Sequence, residues 1–299
     1  MERFRIGLDI GALRTTLVAL ASDGKVLHQE EAPTPTKDYQ AALNVVGRLV
    51  YEAEHKIGAR GTVGVAVPGR AIPGDGRLNS SLGMLHRKPL AKDLQSSLSR
   101  KLRLVNNASC FAFSESKDGN AAGAGLVFGA FLDVSAGAGI VANGKVLTGQ
   151  HGLAGEWAHN PLPWPRGDEL RGAKCYCGKR GCIETFLSVP GLTRFHTETT
   201  NKTLAADVIL QQAAAGHAEC KITLLRFEDC LARALAYIVN LLDPSVIVLG
   251  GSLAQGTQLC ESIPQIWAPY LQAEGLDTKL VPPKHGEASV ARGAAWLGV

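Results

Sequence analysis

Four side chains, His159, Cys175, Cys177 and Cys182, place one imidazole and three thiols within 24 residues of chain. Three thiolates and an imidazole form a closed tetrahedral set for structural zinc. The cysteines follow the pattern Cys-x-Cys-x4-Cys, and Gly178 and Gly181 lie between them, so the backbone can fold sharply enough for the sulfurs to face one ion. The competing reading is a set of ordinary buried thiols in a reduced protein. Glu156 precedes His159 by three residues and Glu184 follows Cys182 by two, so a metal cross-link would draw two distant carboxylates together. Paired carboxylates suit the hydroxyls of a sugar, because each accepts O–H hydrogen bonds with good directionality. Solvated surface acids are the plainer alternative for both.

The elements that must hold these groups follow from composition and pattern. At 299 residues the chain exceeds one average domain, and two lobes sharing a cleft are expected. A 45% hydrophobic content with 34 glycines indicates a globular protein rich in tight turns. The formal charge of +4 is small and no dense basic run with interleaved aromatics occurs, so nucleic acid is not implied. No apolar run is long enough for a membrane span, and the N-terminus enters a strand without a signal core. Of the seven cysteines, Cys110, Cys220, Cys230 and Cys260 remain as scattered thiols, which fits a cytoplasmic location.

Along the chain, Phe4 to Ile10 and Leu17 to Ala21 form a strand pair around Gly11-Ala12-Leu13-Arg14, a turn whose N–H groups suit phosphate. Helical spacing covers residues 38–57, a buried strand covers 62–67 before Pro68-Gly69, and Pro73 to Gly76 is a turn ahead of Asn79. A strand at 103–105 ends in Asn106-Asn107, where open α/β sheets place ligand groups; a helix N-cap is the plainer role, and either residue could fill both. A second small-residue turn, Asp133 to Gly139, including Gly137, separates strands at 127–132 and 140–142. Two such hairpins, one per lobe, are expected to grip a nucleotide. A helix over 222–242 leads to the strand 246–249, and Gly250-Gly251 after it lets a ligand approach the main chain. A small-residue helix closes the chain.

Asp9-Ile10-Gly11, the Pro68-Gly69 turn, Glu156-x-x-His159, Cys175-x-Cys-Gly-x-x-Gly-Cys-Ile-Glu184 and Leu249-Gly250-Gly251 resemble, in order and over the whole chain, the ROK family of sugar kinases, regulators and open reading frames. The wording from Gly155 to Trp164 and from Cys175 to Phe186 looks most like the bacterial fructokinase branch. The regulators carry an N-terminal helix-turn-helix, for which a strand beginning at Phe4 leaves no room. The resemblance implies an α/β, actin-like ATPase (ribonuclease H-like) fold with two lobes around a cleft. The small lobe would be residues 1–117 plus 286–299, and the large lobe, 118–285, would carry the zinc. It also implies Mg-ATP-dependent phosphorylation of a hexose, fructose being the expected substrate, and a homodimer. Carried over by position, Asn79, Asn106, Glu156, His159 and Glu184 would bind sugar, with His159 also on zinc. Asp9, Gly11, Arg14, Gly137, Gly139, Gly250 and Gly251 would serve the nucleotide and magnesium.

The departures fall on the chemistry. The family's Asn-Asp-Ala-Asn, whose Asp takes the sugar hydroxyl proton, is here Asn106-Asn107-Ala108-Ser109, and an amide cannot take that proton. The first phosphate turn, Gly-Gly-Thr-Lys in the family, is Gly11-Ala12-Leu13-Arg14. The second, Gly-Thr-Gly, is Asp133-Val134-Ser135, which sets an anion where phosphates are expected. The sugar loop's Asn-x-Asn is Asn79-Ser80-Ser81. The expectation is therefore a fructokinase-like protein with severely impaired turnover. The alternative is a pseudokinase that binds hexose as a sensor or regulatory partner.

Overall fold

The computed structural model describes residues 4–72, 74–255 and 258–299; Pro73 of the expected turn and the first three residues lie outside them. The chain divides into two compact units, Met1–Gly123 with Gly139–Ala154 and Lys284–Val299, and Ala124–Ala138 with Gly155–Pro283. In chain order the elements are β1 (Arg5–Ile10), β2 (Arg14–Leu20), β3 (Val26–Pro33), α1 (Tyr39–Ile57), β4 (Thr62–Val67), β5 (Gly69–Ala71), β6 (Leu78–Ser80), α2 (Leu90–Leu98), β7 (Arg103–Asn106) and α3 (Asn107–Lys117). There follow β8 (Leu126–Leu132), β9 (Ala136–Ala142), β10 (Lys145–Val146), α4 (Val189–Thr200), α5 (Ala206–Ala214), α6 (Ala218–Leu242), β11 (Val246–Gly250), α7 (Gln258–Ile266), β12 (Lys279–Val281) and α8 (Ser289–Leu297).

The first unit is built on a sheet of order β3-β2-β1-β4-β7. The β1–β2 and β2–β3 pairs are antiparallel, and β1–β4 and β4–β7 are parallel. Ile6, Leu8, Ile10, Val63, Val65 and Val67 are buried with Leu43, Val46, Leu49 and Val50 of α1 in one apolar cluster. The helix begins where the Asp38 carboxylate accepts the Ala41 N–H at 3.1 Å, and it stops at Gly58 in the left-handed region. On the other side of the sheet, Ala291 and Ala295 of α8 pack with Val18 and Leu20, a contact that small side chains permit.

A second sheet has the order β10-β9-β8-β11-β12, with β11 parallel to both β8 and β12. In the second unit α6 buries residues along most of its 25-residue length. Strand β9 starts at Ala136, so the second turn is Asp133 to Ser135, and Gly137 and Gly139 are strand residues rather than turn residues. The reason lies in packing within the first unit: a Cβ on Gly139 would collide with the Ala108 carbonyl of α3. Among the described residues, no helix is long and apolar enough to cross a membrane.

Candidate functional site

The chain between residues 156 and 188 has little regular structure, so buried anchors and backbone bridges must position its side chains. Trp157 is buried edge-on against Phe128, with ring centroids 5.5 Å apart, and it holds the 3-10 turn Trp157–His159 that carries His159, with Glu156 just ahead of it. Ile183 and Phe186 anchor a second turn, Ile183–Thr185, that carries Glu184. A bridge between Pro161 and Cys182, with the Ile183 N–H donating to the Asn160 carbonyl at 2.9 Å, brings the two turns together. A tight loop closed by the Cys175 N–H to the Lys179 carbonyl, at 2.8 Å, presents the other two thiols.

Between His159 and Cys175 the chain is anchored by Arg233, a fully buried cation of α6 that also pairs with Asp229 one turn back at 2.8 Å. Its guanidinium donates to both Glu169 oxygens at 2.9 Å and to the carbonyls of Pro163 and Trp164 at 3.2 and 2.8 Å. The bidentate pair and the carbonyl bonds tie residues 163–169 to α6, and together they satisfy a charge that would otherwise be costly to bury.

The four side chains converge as their spacing suggests, with one ligand atom from each of His159, Cys175, Cys177 and Cys182 all within 4.8 Å of one another. Cys175 Sγ lies 3.6 Å from His159 Nδ1, and Cys177 Sγ lies 3.6 Å from Cys182 Sγ. A tetrahedral ion with bonds of about 2.3 Å to sulfur and about 2.0 Å to nitrogen needs sulfurs about 3.8 Å apart and sulfur–nitrogen pairs about 3.5 Å apart, so the donor set fits zinc. All seven cysteines are free, and 3.6 Å is far beyond a disulfide bond.

The acidities differ across the cluster. Burial pushes Cys175 up and, with Cys177 beside it, pushes Cys182 up to about 12. Burial acts upward on Cys177 too, but the Lys179 backbone hydrogen bond and the neighbouring thiols outweigh it and leave that thiol below its ordinary value. Burial holds His159 below its ordinary value, which favours the neutral imidazole that a metal requires. The other ring nitrogen, Nε2, is 2.9 Å from Tyr176 Oη, a partner that sequence reasoning missed although an aromatic between two ligand cysteines was visible there.

Glu184 is buried, and one of its oxygens accepts the Ala136 N–H at 2.8 Å. Burial pushes its carboxyl up to about 7, with the Ala136 N–H opposing and the charge of Glu156 adding to the rise. The two acids are thus brought within electrostatic reach of each other, as expected. A carboxyl raised from 4.5 in this way favours the folded state most below its unfolded value, and that contribution is lost as pH rises through about 7. We expect Glu184→Gln to flatten the fall in melting temperature between pH 5 and 8 relative to the parent chain; parallel pH profiles would contradict it.

The remaining candidates divide between the units. In the second, Gly250 ends β11, and Gly251, at φ 95°, sits where a Cβ would strike the Leu132 carbonyl, so its need for glycine is met by packing. The Asp133 carboxylate accepts the Val134 N–H at 2.8 Å and the Ser252 hydroxyl at 2.6 Å, so this anion is built into the turn rather than free in solvent. In the first unit Asp9 is half-buried on β1, opposite Thr16 and Ala66. The Gly11 N–H donates to the Arg14 carbonyl at 2.9 Å, Leu13 stands 78% exposed at the turn, and Arg14 pairs with Glu31 at 3.0 Å. Asn79 is exposed on β6.

Asn106 caps α3: its Oδ1 accepts the Ala108 and Ser109 N–H groups at 2.9 and 3.3 Å, and its Nδ2 donates to the Gly69 carbonyl at 3.1 Å. The cap role expected for it from residue type is the one seen here. Asn107 opens α3 and its Oδ1 accepts the Ala108 N–H at 2.9 Å.

With a Cys3His cluster, two neighbouring acids and two five-stranded mixed sheets established, the class can be stated: the ROK family model matches residues 5–298, and the chain belongs to the ROK family. It is 35% identical over 300 residues to the N-acetyl-D-glucosamine kinase of Salmonella paratyphi C (strain RKS4594), covering 97% of this chain and 98% of that one. Among solved structures it is similar to the ROK hexokinase from Thermus thermophilus, with TM-score 0.86 and 25% identity over 99% of this chain and 97% of that one. The fold is also that of a ROK family glucokinase from Streptomyces griseus solved in complex with glucose and AMPPNP, with TM-score 0.85 and 20% identity over 99% of each chain.

Proposed function

We propose that this chain binds a hexose beside a zinc-filled Cys3His cluster and transfers phosphate to it from Mg-ATP only weakly. Asn107 carries the reading. The residue beginning α3 is an amide whose Oδ1 already accepts the Ala108 N–H, and no amide takes a hydroxyl proton at neutral pH. Losing general-base assistance costs about 10²–10⁴ in rate. The two glycine-turn departures fall on a reaction that depends almost wholly on positioning and electrostatics, so they add to that loss. The two five-stranded sheets support the actin-like architecture. The donor chemistry of His159, Cys175, Cys177 and Cys182 supports zinc, which when bound supplies a structural cross-link holding Glu156 and Glu184 near each other. In this reading Glu156 and Glu184 accept hydrogen bonds from sugar hydroxyls.

Fructose is supported by the wording around Trp157 and Trp164. An N-acetylhexosamine is supported by the names of the curated relatives. A coupled ADP-release assay across fructose, glucose, mannose and N-acetylglucosamine tests the proposal. Turnover far below the typical ~10 per second is expected; tens per second on any of them would overturn it. A second reading, a sugar-responsive pseudokinase with no turnover, is favoured by the Asp133 carboxylate held on the second turn. It predicts hexose binding by calorimetry without measurable Mg-ATP binding.

A further inference from the structure

Among the described residues of the first unit, Arg5 Nη1, Thr62 Oγ1, Arg292 Nε and Trp296 Nε1 are buried polar atoms with no hydrogen-bond partner. Buried donors are almost always paired, so a group of orphans in one neighbourhood asks for a cause. The fold explains why they are neighbours. Arg5 of β1 pairs in register with Thr62 of β4, which sets both side chains on one face of the sheet. Gly7 shares that face, and a Cβ there would strike the Ala291 carbonyl, so the face is the one that α8 covers. Arg292 and Trp296 lie one turn apart on α8, and the Arg5 guanidinium sits over the Trp296 ring, 5.0 Å from its centroid. Charge is unbalanced there too. Lys117, at the end of α3, places its ammonium 5.6 Å from the centroid of the same ring. The acid at hand, Asp118, is taken by Arg292 and, at 3.0 Å, by His285, and among the described residues no ion pair joins Arg5 or Lys117 to a carboxylate. Arg5 and Trp296 are half-buried and Lys117 is exposed, so the group reaches solvent.

We propose that this face of α8 is a binding site for a phosphate group, either free inorganic phosphate or that of a phosphomonoester. Unpaired cations beside unfilled N–H and O–H groups lack a negative charge with several acceptor oxygens, which is what phosphate offers, and a guanidinium matches it well. Arg5 supplies the charge, Arg292 Nε and the indole N–H supply further donors, and Thr62 adds a hydroxyl. The orphan atoms are covered, so binding includes a side-chain shift; Lys117, exposed on the surface, is the group free to make it, and its ammonium then joins the ligand. The site uses none of the residues assigned to sugar, nucleotide or metal, so it stands independently of the proposed activity.

The test uses the full-length chain labelled with nitrogen-15. The chain has 4 tryptophans, and the indole N–H signal missing from Trp296→Phe is that of Trp296. Sodium phosphate, titrated against sodium chloride at equal ionic strength, should move that signal saturably and raise the melting temperature, since a ligand of the folded state stabilises it. Arg5→Gln should raise the half-saturating phosphate concentration about tenfold or more, the size expected for loss of a charge-assisted hydrogen bond. Trp296→Phe keeps the ring under the cations, loses only the N–H donor, and should weaken the thermal response less. A parallel titration with glucose 6-phosphate separates the two sources: saturation below the inorganic phosphate range assigns the site to a monoester, and saturation above it to free phosphate. A parent Trp296 signal that moves no further with either phosphate compound than with chloride overturns the site, whether or not the variants fold. So does a phosphate response that Arg5→Gln leaves unchanged.

Discussion

Replacing Asn107 by aspartate together with Ala12→Gly, Leu13→Thr and Asp133→Gly is expected to raise ATP-dependent hexose phosphorylation about 10²–10⁴-fold over the parent chain. That range corresponds to about 3–5 kcal/mol of barrier. The helix start tolerates the new acid: residue 107 already accepts the Ala108 N–H, and a carboxylate in the first turn of a helix is favoured by the unpaired N–H groups there. Asn107→Asp alone should recover much less. The Asp133 carboxylate would still hold the Val134 N–H and the Ser252 hydroxyl, and Leu13 would still project from the first turn. Groups that act as a unit in catalysis respond non-additively, so the four changes together should exceed the product of their separate gains. Steady-state kinetics on the single, paired and combined variants decide it. Full recovery from Asn107→Asp alone would show that both turns are competent and that only the base was lost.

The other large effect expected is on the metal cluster. Cys182→Ser, or removal of the ion by a strong chelator, should lower folding stability by on the order of 3–5 kcal/mol and abolish hexose binding together with it. Structural zinc is worth about 10–16 kcal/mol in finger peptides that are unfolded without it. The second unit has anchors of its own in Trp157, Ile183, Phe186 and the Arg233–Glu169 pair, so only part of that is at stake here. Cys182 is buried and its backbone bridges to Pro161, so on the zinc reading loss of its thiolate would free both 3-10 turns. Thermal melting with chelator, followed by zinc add-back, measures the effect. An unchanged melting temperature and undiminished sugar binding would sink the zinc assignment, and with it the reason for Glu156 and Glu184 to stay paired.

Much of the site was legible because its chemistry is local in sequence. Three thiols within eight residues and an imidazole ahead of them have few uses other than a metal, and the fold draws all four together. The regular elements were legible for a similar reason. The residue 38–57 helix declares itself by apolar spacing and by Asp38, and the Asn106 cap by residue type. Other features were not readable along the chain. Gly137 and Gly139 look like a phosphate turn from neighbour to neighbour, but β9 includes them, because what Gly139 must accommodate is the Ala108 carbonyl, 31 positions away in sequence.

The sequence by itself determined the family, the metal donor set, the two acids beside it and the loss of the carboxylate at residue 107, because each is a matter of which atoms are present and at what spacing. Only the tertiary structure decided which atoms are already engaged: that Asp133 bonds Ser252, that Arg233 bonds the Trp164 carbonyl and that Tyr176 Oη lies 2.9 Å from His159 Nε2. Hydrogen bonds of this kind join residues 17 to 119 positions apart, and no local pattern encodes such a pairing until packing has brought the two ends within about 3 Å.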